Sequence, residues 1–332
     1  MSFLQPLTPS SDCNLRTIPP DLLRPLQQLT KLPPVEPPIS EDVYSSLQPF
    51  LCLFLARNSL TALSSELFEL SPLNVLSIRN NKLTEIPPAI RRLTSLQTIN
   101  FSVNRLQYLP WDLLWLIRNG DLKHMTVRPN PLLQITDSEI AQWHYPKQNQ
   151  TSESPLQMYN YTGTIPAGAW DPIHIATGPI QRFDMEGQPI SSYKNGITTD
   201  DMISRAPSLR EVALLGILKS PFFDQLTEPE ELGYYPQLVA RLLQQAKEVK
   251  TAGGRVCSVC SRNFVIARSE WIEWWDCGVH ENGLKGPRAP GDNLRPLPFK
   301  RLGCSWGCVP GQGSAQGEPD KARSVDGGWT LS

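Results

Sequence analysis

Five of the chain's seven cysteines fall between Cys257 and Cys308, and their spacing suits a metal ion. Cys257-x-x-Cys260 and Cys304-x-x-x-Cys308 each place two thiols on one short segment, where neighbouring thiolates can present both sulfurs to a single ion. Together the four fit a tetrahedral structural zinc site, which leaves no open position for catalysis. Cys277 and His280 form a third ligand-spaced pair, so a set that uses one of them stays open, as does a cluster of unmetallated buried thiols. In a cytosolic chain such clustering points to metal before disulfide. A module this small has little core, so a bound ion would contribute folding free energy directly.

Other chemistry is sparse. The four histidines sit in no nucleophile or metalloprotease motif, no glycine-rich phosphate loop is present, and Asp200-Asp201 reads as a loop or helix-start pair. The expectation is a protein that is not an enzyme. A net charge of −1 without a long run of like charge argues against a nucleic-acid partner bound by phosphate neutralisation. No apolar stretch approaches the ~20 residues of a membrane helix. The first 13 residues lack the basic and apolar regions of a signal peptide, so the expected location is cytoplasmic or nuclear, away from membranes.

The elements that must position these residues begin with a repeat. Phe50-x-x-Leu53-x-Leu55-x-x-Asn58-x-Leu60 returns from Leu73 and again from Leu96, at a step of 23 residues both times. Leu122-x-x-Met125-x-Val127-x-x-Asn130-x-Leu132 fits as a fourth copy after a step of 26, with about one turn inserted near Ile117 to Asp121. This is the leucine-rich-repeat pattern. Each copy cannot bury its apolar face alone, so the copies stack into a solenoid. Places 4 and 6 of the phrase point into the core, and the place-9 asparagines, Asn58, Asn81, Asn104 and Asn130, are expected to form a buried amide ladder. Cys13-x-Leu15-x-x-Ile18 reads as the second half of a degenerate first repeat, and the prolines from Pro33 to Pro38 interrupt the chain between it and Phe50.

The expected architecture is an α/β solenoid, a short horseshoe arc, followed by a helical linker and a small zinc-ribbon-like module. Residues 1–49 form an irregular cap, 50–133 the repeats, 134–206 a loop or partly disordered linker, 207–254 a helical segment, 255–310 the cysteine-rich module and 311–332 a disordered tail. Ser208-x-x-Glu211 has capping-box spacing and predicts a helix over 208–219. The apolar stripe Leu238, Leu242, Ala246, Val249 predicts a second from Pro236 to Lys250. Asn263–Ile266 and Glu270–Trp275 read as short strands, and Trp271, Trp274 and Trp275 as core packing or a peptide-binding face.

Places 3, 5, 7 and 8 of each copy point to the concave face of such an arc. They include Phe54, Arg57, Ser77, Arg79, Asn80, Asn100, Ser102, His124, Thr126 and Arg128. Arg57, Arg79 and Arg128 give this face a positive bias, so the expected partner is a protein, gripped through an acidic segment by charge-assisted hydrogen bonds. On the predicted helix, Leu209, Ala213 and Ile217 lie four apart, a spacing that resembles an elongin-binding box.

Short repeats, then Pro207-Ser208-Leu209-Arg210-Glu211-Val212-Ala213, then Cys257-Ser258-Val259-Cys260, then Gly303-Cys304-Ser305-Trp306-Gly307-Cys308 is an order with a precedent. It resembles the leucine-rich-repeat substrate receptors of elongin–cullin ubiquitin ligases, and the Trp-rich segment is similar to fungal leucine-rich-repeat proteins. The resemblance implies that Leu209, Ala213 and Ile217 face an elongin-like adaptor while the repeats hold the substrate. The first expectation remains a scaffold or adaptor for protein–protein interaction, and the alternative is the ligase substrate receptor.

Overall fold

The computed structural model describes residues 14–27, 29, 50–135, 172–190, 204–282 and 295–310. The proline run at 33–38, residues 136–171 and 191–203 of the expected linker and the expected tail at 311–332 lie outside them.

The repeat phrase becomes four parallel strands, β1 (Leu51–Phe54), β2 (Leu73–Ser77), β3 (Thr98–Asn100) and β5 (His124–Thr126), hydrogen-bonded in that order. The apolar residues at places 4 and 6, from Leu53 and Leu55 to Met125 and Val127, are all buried in one continuous core. Alternation along a strand dictates this, because every second side chain faces the same way. The first copy departs from the expected phase. Leu51, not Phe50, pairs with Leu73, through a register irregularity between Leu51 and Cys52. Leu51 therefore fills place 1 in the core, and Phe50 is left 62% exposed.

Each strand returns by a short apolar segment. The first two are 3-10 turns, Ser65–Glu69 and Pro88–Arg92. The third carries a two-residue strand, β4 (Leu109–Pro110), and then a full helix, α2 (Trp111–Asn119), which accounts for the longer step. At the front, α1 (Pro20–Gln27) packs on the first 3-10 turn and closes the N-terminal end.

The second half of the chain is not a separate module on a linker. Part of the 134–206 span is strand: β6 (Ile173–Thr177) and β7 (Gln181–Arg182) both pair antiparallel with β8 (Ser269–Asp276). β8 in turn pairs with β9 (Leu297–Gly303), and β9 runs parallel to β4, Leu109 opposite Phe299. The second sheet thus takes one of its edges from within the repeats. Trp275, Cys277, Leu297 and Phe299 share the repeat core. The cysteine-rich segment is thus joined to the repeats: β9 pairs with β4 and packs on α2, and the helix Gly278–Asn282 packs on β5. The expected strand Asn263–Ile266 is only a single bridge, Val256 to Asn263.

Between the two halves lie α3 (Leu209–Leu218), two short helices α4 (Phe223–Leu226) and α5 (Pro229–Leu232), and α6 (Gln237–Thr251). The Ser208 hydroxyl caps α3, accepting from the Glu211 amide at 3.2 Å. The Glu211 carboxylate reaches instead to the Val265 and Ile266 amides and ties α3 to the segment behind the first cysteine pair. Burial raises its pKa, against the pull of those amides. After α6, Gly253 at φ 87° lies against Ala89 and Phe68 of the repeats. Its carbonyl accepts from Arg92 at 2.6 Å. Only a residue without Cβ can make that approach in a left-handed conformation.

Candidate functional site

Two places in the fold gather functional side chains. The first is the open face of the repeat sheet. Strand register lays its residues in two straight rows. Cys52, Val75, Thr98 and His124 are consecutive cross-strand partners, and so are Phe54, Ser77, Asn100 and Thr126. The first three of each row are half-buried, and His124 and Thr126 are exposed. Burial pushes the Cys52 thiol up. Of the residues expected on this face, Phe54, Ser77, Asn100, His124 and Thr126 come together in these rows. Cys52, Val75 and Thr98 belong there too. They occupy place 3, which the alternation rule covers, and they lack charge to draw the eye.

The turn leaving each strand holds the remaining expected residues. Place 8 is left-handed in the three full copies, with φ 56° at Arg57, 56° at Asn80 and 58° at Val103. That turn lets the backbone pairing continue beyond the strands, with the Arg57 amide donating to Arg79 and the Asn80 amide to Ser102. Ser102 is buried rather than presented, with its hydroxyl 2.8 Å from the Asn100 side-chain oxygen. Arg57, Arg79 and Asn80 are exposed.

Arg128 needs a correction. Its Nε lies 2.7 Å from the Glu281 carboxylate, and its Nη2 donates to the Arg295 and Pro296 carbonyls. Glu281 belongs to α7 (Gly278–Asn282), which packs on β5. Burial raises the Glu281 pKa, and Arg128 opposes the rise. Arg128 is therefore a clasp between the last repeat and α7, and the positive bias is left to the first copies.

The amide ladder is complete. The Asn58, Asn81, Asn104 and Asn130 oxygens accept from the amides of Leu15, Leu60, Leu83 and Leu106 at 3.0, 3.0, 3.1 and 3.2 Å. Each acceptor bond crosses to the preceding copy at place 11, and Leu15 sits where the degenerate repeat requires. The amide nitrogens of Asn81 and Asn104 donate to carbonyls in their own copy and the one before. The ladder holds the rows in register.

The second place is the cysteine cluster. Cys257, Cys260, Cys304 and Cys308 bring their sulfurs within 4.8 Å of one another, the one such group of potential metal ligands among the described residues. Cys260 to Cys304 is 3.5 Å, and Cys308 lies 3.7 Å from each of them. A tetrahedron with metal–sulfur bonds of ~2.3 Å has sulfurs ~3.8 Å apart, so the donor set fits a thiolate-bound ion. Local structure prepares it. The Cys257–Cys260 turn closes with the Ser261 amide on the Cys257 carbonyl at 3.0 Å, and Ser261 is left-handed at φ 58°. Both Ser258 donors reach the Leu302 carbonyl, at 2.9 Å from the amide and 3.0 Å from the hydroxyl, and bring the turn to the end of β9. Hydrogen bonds from Cys260, Cys304 and Cys308 push the Cys257 thiol down, while bonds to Cys257 and Cys260 push Cys304 and Cys308 up. The cluster favours partial ionisation, and a cation is what would let all four become thiolates. Cys277 is not in this group: it is buried in the repeat core. His280 lies on α7.

Trp271, Trp274 and Trp275 are buried, which leaves no peptide-binding face there. Glu273 accepts from the Trp271 and Trp275 indoles at 2.8 and 3.0 Å and pairs with Arg301 at 2.9 Å. The Arg301 guanidinium stacks 3.9 Å from the Trp111 ring centre, which joins α2 to the second sheet. The box-like residues separate. Leu209 is 89% exposed and Ala213 is exposed, whereas Ile217 packs against the core under α3.

Comparison with known proteins agrees with the repeat assignment. The leucine-rich-repeat family matches residues 52–118. A solved leucine-rich-repeat protein from Leptospira interrogans is 31% identical, with a TM-score of 0.24, over 27% of this chain and 22% of that one. No curated protein matches. No helix among the described residues is long and apolar enough to cross a membrane.

Proposed function

We propose that the chain is a protein–protein interaction scaffold or adaptor, and that the open face of its repeat sheet, the concave side of a short arc, holds an acidic segment of a protein partner. The observation that carries this reading is the pair of cross-strand rows, eight side chains in register with none committed to the core. The reading is one of binding, with no catalytic step. Arg79→Glu in the full chain, followed by affinity capture and mass spectrometry, tests it. Recovery of the wild-type partner set should fall at least tenfold, and unchanged recovery removes the idea.

In this reading Cys257, Cys260, Cys304 and Cys308 hold a structural zinc ion, which would lock the turn after α6 to the end of β9. Metal analysis of the purified protein should give one zinc per chain, and zinc near zero would sink the assignment. A second reading, a substrate receptor for an elongin–cullin ligase, is favoured by the outward face of α3, where Leu209 and Val212 are 89% and 53% exposed. Leu209→Lys should abolish elongin co-purification under this reading and leave the partner set unchanged under the first.

A further inference from the structure

Exposed cations and the apolar part of the open face meet beside the first two strands. Residues 50–65, 70–84, 93–111 and 122–135, which hold every strand and every turn leaving it, contain no aspartate or glutamate. The repeat carboxylates Glu66, Glu69, Glu85, Asp112 and Asp121 all fall between those spans. The acid-free spans carry Arg57, Arg79, Lys82, Arg105 and Lys123, all exposed, and the half-buried Arg128. Among the described residues no ion pair engages Arg79, Lys82 or Arg105. Of the two cations in the last copy, Arg128 is held by Glu281. Arg79 and Lys82 both follow the end of β2.

Within the two rows, the apolar residues stand on the first two strands. Phe50 is 62% exposed because Leu51 takes its place in the core. Cys52 and Phe54 follow it on β1, half-buried, and Val75 stands beside Cys52 on β2. Further along, the same rows hold Ser77, Thr98 and Asn100, and then His124 and Thr126. The rows therefore run from apolar to polar, and the exposed Arg57, Arg79 and Lys82 follow the two strands that hold their apolar part.

We infer that the bound segment has two parts: a large apolar side chain seated on Phe54 and Val75, and carboxylates a few residues away that meet Arg79 and its neighbours. This rests on the open face being the binding site, and it adds the chemistry of the ligand. Spacing comes from strand geometry. Arg79 lies one strand over and two residues on from Phe54, about 8 Å at strand spacings of ~4.8 Å and rises of ~3.3 Å. An extended ligand covers that distance in roughly two to four residues. The apolar contact supplies affinity by burial, and the charge-assisted bonds fix register.

The test is a random dodecapeptide phage library selected on the immobilised full chain, with synthetic copies of the enriched peptides titrated by fluorescence anisotropy. The expected consensus is one Leu, Phe or Trp with Asp or Glu two to four residues away. Binding should fall at least tenfold for Arg79→Glu and for Phe54→Asp. A peptide with Lys in place of its acids should bind Arg79→Glu better than wild type, a gain that misfolding cannot produce. A consensus without acids, lost on Phe54→Asp but indifferent to Arg79→Glu, overturns the inference and leaves the open face as the site. Peptides indifferent to both substitutions overturn the site itself, and failure to enrich any consensus overturns both.

Discussion

Replacing Asn81 with leucine would remove the middle of the amide ladder, and its cost can be worked bond by bond. The Asn81 side chain makes three close contacts: it accepts from the Leu60 amide at 3.0 Å and donates to the Leu55 and Ile78 carbonyls at 2.9 and 3.0 Å. Counting all three as lost overstates the damage. The Leu55 carbonyl keeps the Asn58 amide at 3.1 Å, and the Ile78 carbonyl keeps that of Asn104 at 3.0 Å. Only the Leu60 N–H is orphaned. Leucine is close to asparagine in shape, so little cavity forms, and the cost is that of one buried unpaired donor, roughly 1–3 kcal/mol. The ladder's end differs. The Asn130 oxygen accepts from two amides, Asn104 at 3.0 Å and Leu106 at 3.2 Å, so Asn130→Leu orphans both and should cost more. Asn58→Leu should cost least, since it releases the half-buried Leu15 amide beside exposed chain. Urea unfolding followed by tryptophan fluorescence would give the order as shifts in midpoint at constant m-value. Equal losses at all three positions, or Asn81→Leu within about 0.5 kcal/mol of wild type, would refute the claim that these asparagines act by satisfying the neighbouring copy.

Four more outcomes are expected at single sites. Val103 is a β-branched residue at φ 58°, where the second copy has Asn80 at φ 56°; Val103→Asn should raise stability by about 1 kcal/mol in the same urea assay, and a loss would show that the strain is not there. Burial pushes the Asp112 carboxyl up to about 7, with Arg91 opposing. Because the folded value lies above the unfolded one, this group's contribution is full below about pH 4 and is lost as pH rises through about 7; thermal melts at pH 5 and 8 should show a wild-type slope that Asp112→Asn lacks, worth at most about 4 kcal/mol. A Cβ at Gly303 would strike the Ser269 hydroxyl and the Cys308 backbone, so Gly303→Ala should cost roughly 1–3 kcal/mol or more and weaken metal retention in a competition with a chromogenic chelator. Under the proposed zinc assignment, stripping the ion should lower the melting temperature of the whole chain in one transition, because β9 pairs with β4 inside the repeats as well as with β8; a repeat domain that melts unchanged while the rest unfolds would contradict this.

What the sequence disclosed, and what it hid, divides along the range of the interactions. The repeat phrase is a local code: alternation sets which residues of β2, β3 and β5 are buried, and the asparagine at place 9 is legible because its partners lie one copy away. The cysteine pairs are legible for the same reason, each being a turn of four or five residues. Ser208 announced its helix, but nothing near Glu211 signals that its carboxylate belongs to Val265 and Ile266, 54 and 55 residues away. Phe50 misled because phase was read from spacing alone, and a one-residue irregularity in pairing moves a side chain to the other face of the sheet. Arg128 misled for a third reason: alternation says which way a side chain points and is silent about what lies opposite. Strands β6 and β7 escaped notice because edge strands of two to five residues carry too few positions for a period to show.

These failures share a direction. Apart from the phase of Phe50, in each the sequence suggested separate pieces and the fold joined them. β4 is a two-residue strand inside the third return segment, and it is there that β9 attaches. Arg301 ties the second sheet to α2, Arg128 ties α7 to the last strand, and Arg92 ties the α6 terminus to the second return segment. Three arginines from three elements make these joins, each pairing a charged or aromatic partner, or a carbonyl, far away in sequence. A guanidinium suits this work because its planar donors and stackable face satisfy a partly buried contact that an ammonium would leave under-bonded. The last strand is packed by the Gly278–Asn282 helix, and the third return segment by β9. The cysteine cluster lies between the turn after α6 and the end of β9.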